Sequence, residues 1–131
     1  MLSPRYFKEK VCEELEDASH YLKKAIDVCK TNPEWSMTFK HMADGEQEHA
    51  TDIYRMFMEM YTTAEKRDQF MEAMRDGIME CFSIHMRKIE DLKATYDMMM
   101  HQNYQTSSPQ KEVKSWNPPI TESSTLKAIS E

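Results

Sequence analysis

A glutamate and a histidine interrupt an apolar row near the middle of the chain. Counting alternately by four and three residues, the row consists of Trp35, Phe39, Met42, Glu46, His49, Ile53, Met56 and Met60. This spacing is typical of one face of an α-helix and places Glu46 next to His49 at i, i+3. A carboxylate and an imidazole in a buried seam are costly unless something pairs with them. A metal ion would pair with both, but a Glu–His hydrogen bond or a seam that opens to water would fit the pattern equally well.

A second row, earlier in the chain, also has an acidic residue near its centre. It consists of Phe7, Val11, Glu14, Ala18, Tyr21, Ala25 and Val28. If the two helices pair in an antiparallel manner, Glu14 lies opposite Glu46 and His49. Two carboxylates and one imidazole would then converge in a helical core, and this agreement favours the metal interpretation. One Glu on one helix and Glu-x-x-His on its partner form half of the ligand set of a di-iron carboxylate bundle.

Two stretches around these residues carry a family resemblance. The stretch from Glu14 to Tyr21 resembles the first ligand helix of ferritins and rubrerythrins, in which a ligand glutamate precedes a tyrosine by seven residues. The run from Glu46 to His49 resembles their second ligand helix. A single such helix pair per chain is most similar to the encapsulated ferritins. The resemblance covers about residues 5 to 62, and it implies an all-α fold in which a ferritin-like antiparallel hairpin completes a four-helix bundle by dimerisation.

The resemblance also implies a function and the residues that perform it. Each of two chains would contribute Glu14, Glu46 and His49, so that four carboxylates and two imidazoles hold two iron ions, with manganese as the other candidate. Glu14 would be a terminal ligand, Glu46 a bridging ligand, and Tyr21 a catalytic residue hydrogen-bonded to a carboxylate. The implied activity is Fe(II) oxidation of the ferroxidase or peroxidase type. The alternative is a structural or adaptor protein that uses the same helical scaffold without turnover.

Capping and proline signals position the two helices that carry these rows. Ser3 predicts the N-cap of a first helix over residues 4–30, which should end before the Asn32-Pro33 pair. Asn32 is the predicted N-cap of a second helix over residues 33–61. Because so few residues connect the two helices, we expect them to form an antiparallel hairpin.

A third apolar row predicts a long helix over residues 64–102, with Thr63 as its N-cap. The row consists of Phe70, Met74, Ile78, Cys81, His85, Ile89, Leu92, Tyr96 and Met99. Its one polar member is His85, and a single histidine in an apolar row is more often a core residue than a metal ligand. This helix contains no second Glu-x-x-His. One chain therefore offers half of a di-iron site, and a second chain is needed to complete it.

The composition changes after residue 102. Helical periodicity stops and prolines appear, so we expect a helical domain over residues 1–102 and an extended C-terminal tail over residues 103–131. The tail has spaced apolar residues, which are Trp116, Ile120, Leu126 and Ile129. Residues of this kind dock in grooves, on a neighbouring subunit, a partner or a shell protein, although a tail with no docking function would look the same.

The composition of the whole chain limits its partners and its location. A length of 131 residues fits one domain, and two glycines with 31% charged residues favour helices over sheets. The net charge of −6 argues against a nucleic-acid partner, and no segment predicts a membrane span. Three widely spaced cysteines, with no Cys-x-x-Cys pair, favour reduced thiols and a cytoplasmic location, free or inside a larger assembly. The expected assembly is a homodimer or a larger homo-oligomer.

Overall fold

The chain forms three α-helices and no strand in the part that the structure describes, residues 2–106. In this computed structural model α1 spans Pro4–Val28, α2 spans Pro33–Thr63 and α3 spans Gln69–Thr106. The prediction of an all-α fold is confirmed. None of these helices combines the length and the apolar composition that crossing a membrane requires.

The first two helices begin where the capping signals predict. The Tyr6 N–H donates to the Ser3 hydroxyl at 3.2 Å, and the Trp35 N–H donates to the Asn32 side-chain oxygen at 3.1 Å. Each bond satisfies a backbone donor that has no partner within its own helix, which is typically worth about 1 kcal/mol. In both helices a proline follows the cap, where its missing N–H costs nothing. The connection between α1 and α2 is residues 29–32, which is short enough to fix a hairpin.

The third helix begins at residue 69, later than predicted. Its N-cap is Asp68, whose carboxylate accepts a hydrogen bond from the Met71 N–H at 2.8 Å. Thr63, the predicted cap, is instead the last residue of α2, and its hydroxyl donates to the Glu59 carbonyl at 2.8 Å. Aspartate is a stronger N-cap than threonine. The polar, mostly charged run between the two residues has little apolar surface to bury as a helix.

The predicted tail is described only at its beginning. α3 continues to Thr106, so residues 103–106 belong to the helix. The side-chain amide of Asn103 donates to the Cys29 carbonyl at 2.7 Å, and this bond ties the end of α3 to the α1–α2 connection. The rest of the tail lies outside the described residues, together with its predicted docking residues Trp116, Ile120, Leu126 and Ile129.

The central helix of the fold is α1, which packs against both other helices. The rings of Phe7 and Phe57 lie 5.9 Å apart near one end of the α1–α2 pair. Near the other end, the Ser36 hydroxyl donates to the Ala25 carbonyl. Because the early residues of α1 contact the late residues of α2, the two helices are antiparallel, as the short connection predicts.

Two sulphur atoms join α1 to α3, which run parallel. Cys12 is bonded to Cys81, 69 residues later in the chain. The side-chain stem of Lys8 lies over Gly77, so a pair one turn earlier on both helices is also in contact, as parallel helices require. The Cα atoms of the two cysteines are 6.2 Å apart, within the range that a disulfide requires. The prediction of three reduced thiols is therefore wrong for these two, and only Cys29 is free and buried. Their distance in the sequence gave no sign that they meet.

Two clusters of buried side chains follow α1. The larger contains Val11, Leu15, Ala18, Leu22, Ala43, Ala50 and Ile89, and the smaller contains Phe7, Phe57 and Ile78. Full burial of a Leu, Ile or Phe side chain contributes about 1.5–3 kcal/mol relative to leaving it exposed. Glu14 lies between Val11 and Ala18 on one face of α1, so the larger cluster fixes where its carboxylate points.

The predicted buried row on α2 is wrong in register. The buried residues of α2 lie to one side of it and are Ser36, Ala43, Ala50 and Phe57. Trp35, Met42 and Met56 of the predicted row are 61%, 38% and 46% exposed, and His49 is exposed with them. Three of these four buried side chains are small, which lets α2 approach α1 closely, and Phe57 is the large one. We call the four exposed residues, at intervals of seven, the outer row of α2.

Candidate metal centre

The antiparallel pair of α1 and α2 brings the three predicted ligands together. Ligand atoms of Glu14, Glu46 and His49 all lie within 4.8 Å of one another. Nδ1 of His49 is 3.7 Å from Oε1 of Glu14 and 3.8 Å from Oε1 of Glu46. These separations are too long for hydrogen bonds. They do match ligand atoms around one ion, which lie about 3–4 Å apart when each metal–ligand bond is about 2.1 Å.

The three side chains form a gradient from the core to the solvent. The side chain of Glu14 is 11% exposed and that of His49 is 64% exposed, with Glu46 between them. On the opposite edge of α2, Gln47 accepts a hydrogen bond from Lys93 of α3 at 2.6 Å. The cluster therefore lies on the edge of α2 that α3 does not cover, and its histidine faces outward.

One oxygen of Glu14 has no hydrogen-bond partner. Oε1 is buried and accepts no hydrogen bond, whereas Oε2 lies 3.4 Å from Nζ of Lys10. Buried polar atoms in folded proteins nearly always have a partner, and one without a partner is a place to expect an ion or a water molecule. Oε1 is also the atom that lies 3.7 Å from His49, so it points into the cluster.

The two carboxyl groups of the cluster shift each other's pKa in opposite directions. The side-chain interaction with Glu46 lowers the pKa of Glu14, against the effect of burial and with further help from Lys10. Burial, and then the neighbouring Glu14, raise the pKa of Glu46 to about 7. Two carboxylates this close repel each other, so one of them keeps a proton until a cation compensates the charge. The pair can thus exchange a proton for a metal ion near neutral pH.

Tyr21, the predicted catalytic residue, lies two turns after Glu14 on α1. Its ring is half-buried and stacks against Phe39 of α2, with centroids 6.3 Å apart. Within the described residues its hydroxyl makes no hydrogen bond to Glu14 or Glu46. The structure places Tyr21 at the interface that carries the ligands without joining it to them, and its catalytic role stays a prediction.

Lys10 is a charged neighbour of the cluster that the apolar rows do not predict. It precedes Glu14 by one turn, at i, i+4, and its ammonium also lies 3.5 Å from Glu13. A Lys and a Glu at this spacing are a recognised helical ion pair, so the signal was present in the sequence. In the metal-free cluster Lys10 neutralises part of the charge on Glu14. A metal ion would have to compete with it.

Comparison with protein-family models, with curated proteins and with solved structures gives no match. The ferritin-like assignment therefore stays a prediction. What supports a function is the arrangement, burial and charge of Glu14, Glu46 and His49.

Proposed function

We propose that Glu14, Glu46 and His49 bind iron, and that a second copy of the chain contributes the same three residues to complete a two-iron site. Manganese is the other candidate metal. One observation carries the proposal: a buried oxygen of Glu14 without a hydrogen-bond partner points at two further ligand groups at metal-binding spacing.

The donor set fits such a metal. Two carboxylates and one imidazole suit iron, manganese or zinc better than soft, thiophilic ions. No cysteine belongs to this cluster. Three protein ligands leave coordination positions that a second chain, water or a substrate would fill. Three ligands are too few for a structural metal site that the protein closes completely. They suit a site that two chains share or one that keeps a position open for a substrate.

Each ligand has a separate task in taking up the ion. Glu14, which the core holds in place, is ready to bind because its pKa is lowered. Glu46 releases its proton when the ion binds, since its pKa is raised to about 7 in the free cluster. His49 faces outward, where it can contact an ion that arrives from solvent. When bound, iron would supply electron transfer to O2 or peroxide, and the proposed activity is Fe(II) oxidation.

The outer row of α2 supports a second copy as the missing half of the site. Trp35, Met42 and Met56 are large apolar side chains exposed on the same helical row as His49. Large apolar side chains that are exposed along one face of a helix mark contact surfaces more often than scattered ones do. A second hairpin packed on this strip would cover it and would bring another Glu14, Glu46 and His49 to the same level.

Metal analysis and an oxidation assay test the proposal directly. Protein as isolated is analysed for iron, manganese and zinc. Metal-free protein is then mixed with Fe(II) in air while ferric absorbance is followed. We expect bound iron and faster oxidation than in buffer, with both lost in Glu46→Ala and His49→Ala. Glu48→Ala and His41→Ala are matched controls, because both residues are exposed on α2 and lie outside the cluster. Retention of stoichiometric iron in the two ligand variants would refute the assignment.

A second function is favoured by the ion pair between Lys10 and Glu14. Because the ammonium lies 3.4 Å from Oε2, the protein already compensates part of the charge on its own. This arrangement suits a structural or adaptor protein in which metal, when present, fixes the assembly without turnover. The same assay separates the two functions: bound metal without accelerated Fe(II) oxidation would select the structural role.

A further inference from the structure

Two cysteines and a histidine meet on a different face of α1 from the candidate metal centre. Cys12 precedes Glu14 by two residues, which rotates it by about 200° around the helix. It is bonded to Cys81 of α3, and both residues are half-buried. Nδ1 of His85, one turn further along α3, lies 3.8 Å from Sγ of Cys81. The metal-binding proposal makes no use of this group.

Packing on both sides keeps the two sulphur atoms together. Phe7 and Ile78 belong to one buried cluster, and Leu15 and Ile89 belong to the other, so α1 meets α3 before and after the disulfide. These contacts do not depend on the S–S bond. We therefore expect the helices to stay in register in the reduced protein, with Cα atoms at a separation that suits reclosure. Because both cysteine residues are only half-buried, we expect a small reactant to reach the sulphurs.

We propose that Cys12 and Cys81 form a reversible dithiol–disulfide couple that reduces hydrogen peroxide. In the reduced protein the sulphur of Cys81 attacks one peroxide oxygen. The O–O bond breaks, the sulphur becomes a sulfenic acid, and the other oxygen leaves as water with the thiol proton. The thiol of Cys12 then attacks the sulfenic sulphur, forming the S–S bond and releasing a second water. Two thiols have given two electrons to one peroxide, and an external thiol restores them by thiol–disulfide exchange.

His85 determines which sulphur reacts first. Its Nδ1 lies 3.1 Å from the carbonyl oxygen of Cys81, an acceptor, so the proton of the ring is on Nδ1. The same N–H faces Sγ of Cys81 and can donate to it when the sulphur carries negative charge. The thiolate is the nucleophilic form of cysteine. Cys81 therefore attacks the peroxide, and Cys12 resolves the sulfenic acid.

The test uses the full-length protein after removal of metal with a chelator. The protein is reduced with dithiothreitol, desalted and mixed with one equivalent of hydrogen peroxide, and thiols are then counted in denaturant. The chain has three cysteines, so the expected count falls from three to one, the remaining thiol being Cys29. In Cys12→Ser a sulfenic acid should accumulate on Cys81 and be trapped by dimedone. Cys29→Ser should react like the unchanged protein.

Two further variants decide the mechanism. His85→Ala should slow peroxide consumption about tenfold or more, the effect of losing one hydrogen bond to a charged atom. His41→Ala, an exposed histidine on α2, should not slow it. Glu48→Gln, at an exposed residue of α2 outside the metal cluster, should react normally. A thiol count that stays at three, or a dimedone adduct on Cys12 in a Cys81→Ser variant, would each overturn the proposal. An unchanged rate in His85→Ala would overturn the role of the histidine.

Discussion

At the scale of single residues, the proton on Glu46 links stability to pH. The ordinary pKa of the group is 4.5, and in the folded protein it is raised to about 7. Between these values the folded state holds a proton that the unfolded state has lost, so raising the pH destabilises the metal-free protein. Above about pH 7 the folded state has also lost this proton, and the destabilisation does not increase further. Glu14, whose pKa is lowered, contributes the opposite trend and only at more acidic pH.

We therefore predict that the melting temperature of chelator-treated protein falls as the pH rises from about 5 to about 7.5. Glu46→Gln should remove most of this slope, because a neutral amide neither binds nor releases the proton. Thermal melts at several pH values provide the measurement. Glu48→Gln is the control, since this exposed residue on the same helix should leave the slope unchanged. The same slope in Glu46→Gln and in the unchanged protein would show that another group titrates.

The same proton makes metal affinity depend on pH. Below about pH 7 the ion must displace the proton of Glu46, and above it the site is already ionised. Manganese(II) titrations followed by calorimetry should show affinity that rises by up to about tenfold per pH unit between pH 6 and 7 and then levels off. Affinity that does not change with pH would mean that Glu46 is not a ligand.

The meeting of Glu14, Glu46 and His49 could be predicted from the sequence because each residue breaks an apolar row. A polar residue among apolar neighbours stands out in the pattern. The helical period then predicts which polar residues of the two paired helices lie at the same level. The Cys12–Cys81 pair could not be predicted, because cysteine is itself apolar and does not interrupt the rows. Lys10 was overlooked because an exposed lysine on a helix is ordinary. Its importance depends on Glu14 being buried beside it.

At the scale of helices, the two glycines make a matched pair for a stability test. A Cβ added at Gly45 would meet nothing within 4 Å, whereas one added at Gly77 would come within 2.9 Å of the Lys8 stem. Alanine is favoured over glycine inside a helix by about 1 kcal/mol. Gly45→Ala should thus raise the free energy of unfolding by about 0.5–1 kcal/mol, and Gly77→Ala should gain less because Lys8 must move. Urea unfolding checks both. A loss of stability in Gly45→Ala would mean that a second chain needs the space beside Glu46.

The register of α2 is where prediction from the sequence failed at this scale. The apolar row was predicted from its helical spacing, which Trp35, Met42 and Met56 fit. The helix instead buries a neighbouring row, made of Ser36, Ala43, Ala50 and Phe57. Spacing cannot separate a row that packs inside one chain from a row that packs between chains. The chosen row became the outer row, and its exposure in a single chain is what motivates a second one.

At the scale of the whole molecule, the disulfide constrains a chain whose α2 and α3 make few direct backbone contacts. The bond closes a loop of 69 residues. In the chain-entropy treatment, a cross-link that closes such a loop lowers the entropy of the unfolded chain, which stabilises the folded protein by about 4 kcal/mol. Urea unfolding with and without dithiothreitol should differ by a free energy of this order, and Cys81→Ser should match the reduced protein. Cys29→Ser should retain the difference. Equal stability of the oxidised and reduced forms would show that the two sulphurs are not joined in solution.

Assembly is the property on which the proposed metal site depends most. One chain supplies two carboxylates and one imidazole, and it leaves the outer row exposed beside them. We expect iron or manganese to shift the protein from monomer to dimer in sedimentation experiments, and a chelator to reverse the shift. Met56→Glu should weaken the dimer by more than about tenfold, because the new carboxylate would be buried without a partner.

Met98→Glu is the matched control for this last prediction. Met98 is an apolar residue of α3, 55% exposed against 46% for Met56, and it lies outside the outer row. Dimerisation should survive this change. If Met56→Glu and Met98→Glu weaken the dimer equally, the contact is a general apolar one and the outer row is not the interface. If the metal-loaded protein stays monomeric, Glu14, Glu46 and His49 form a site that one chain completes by itself.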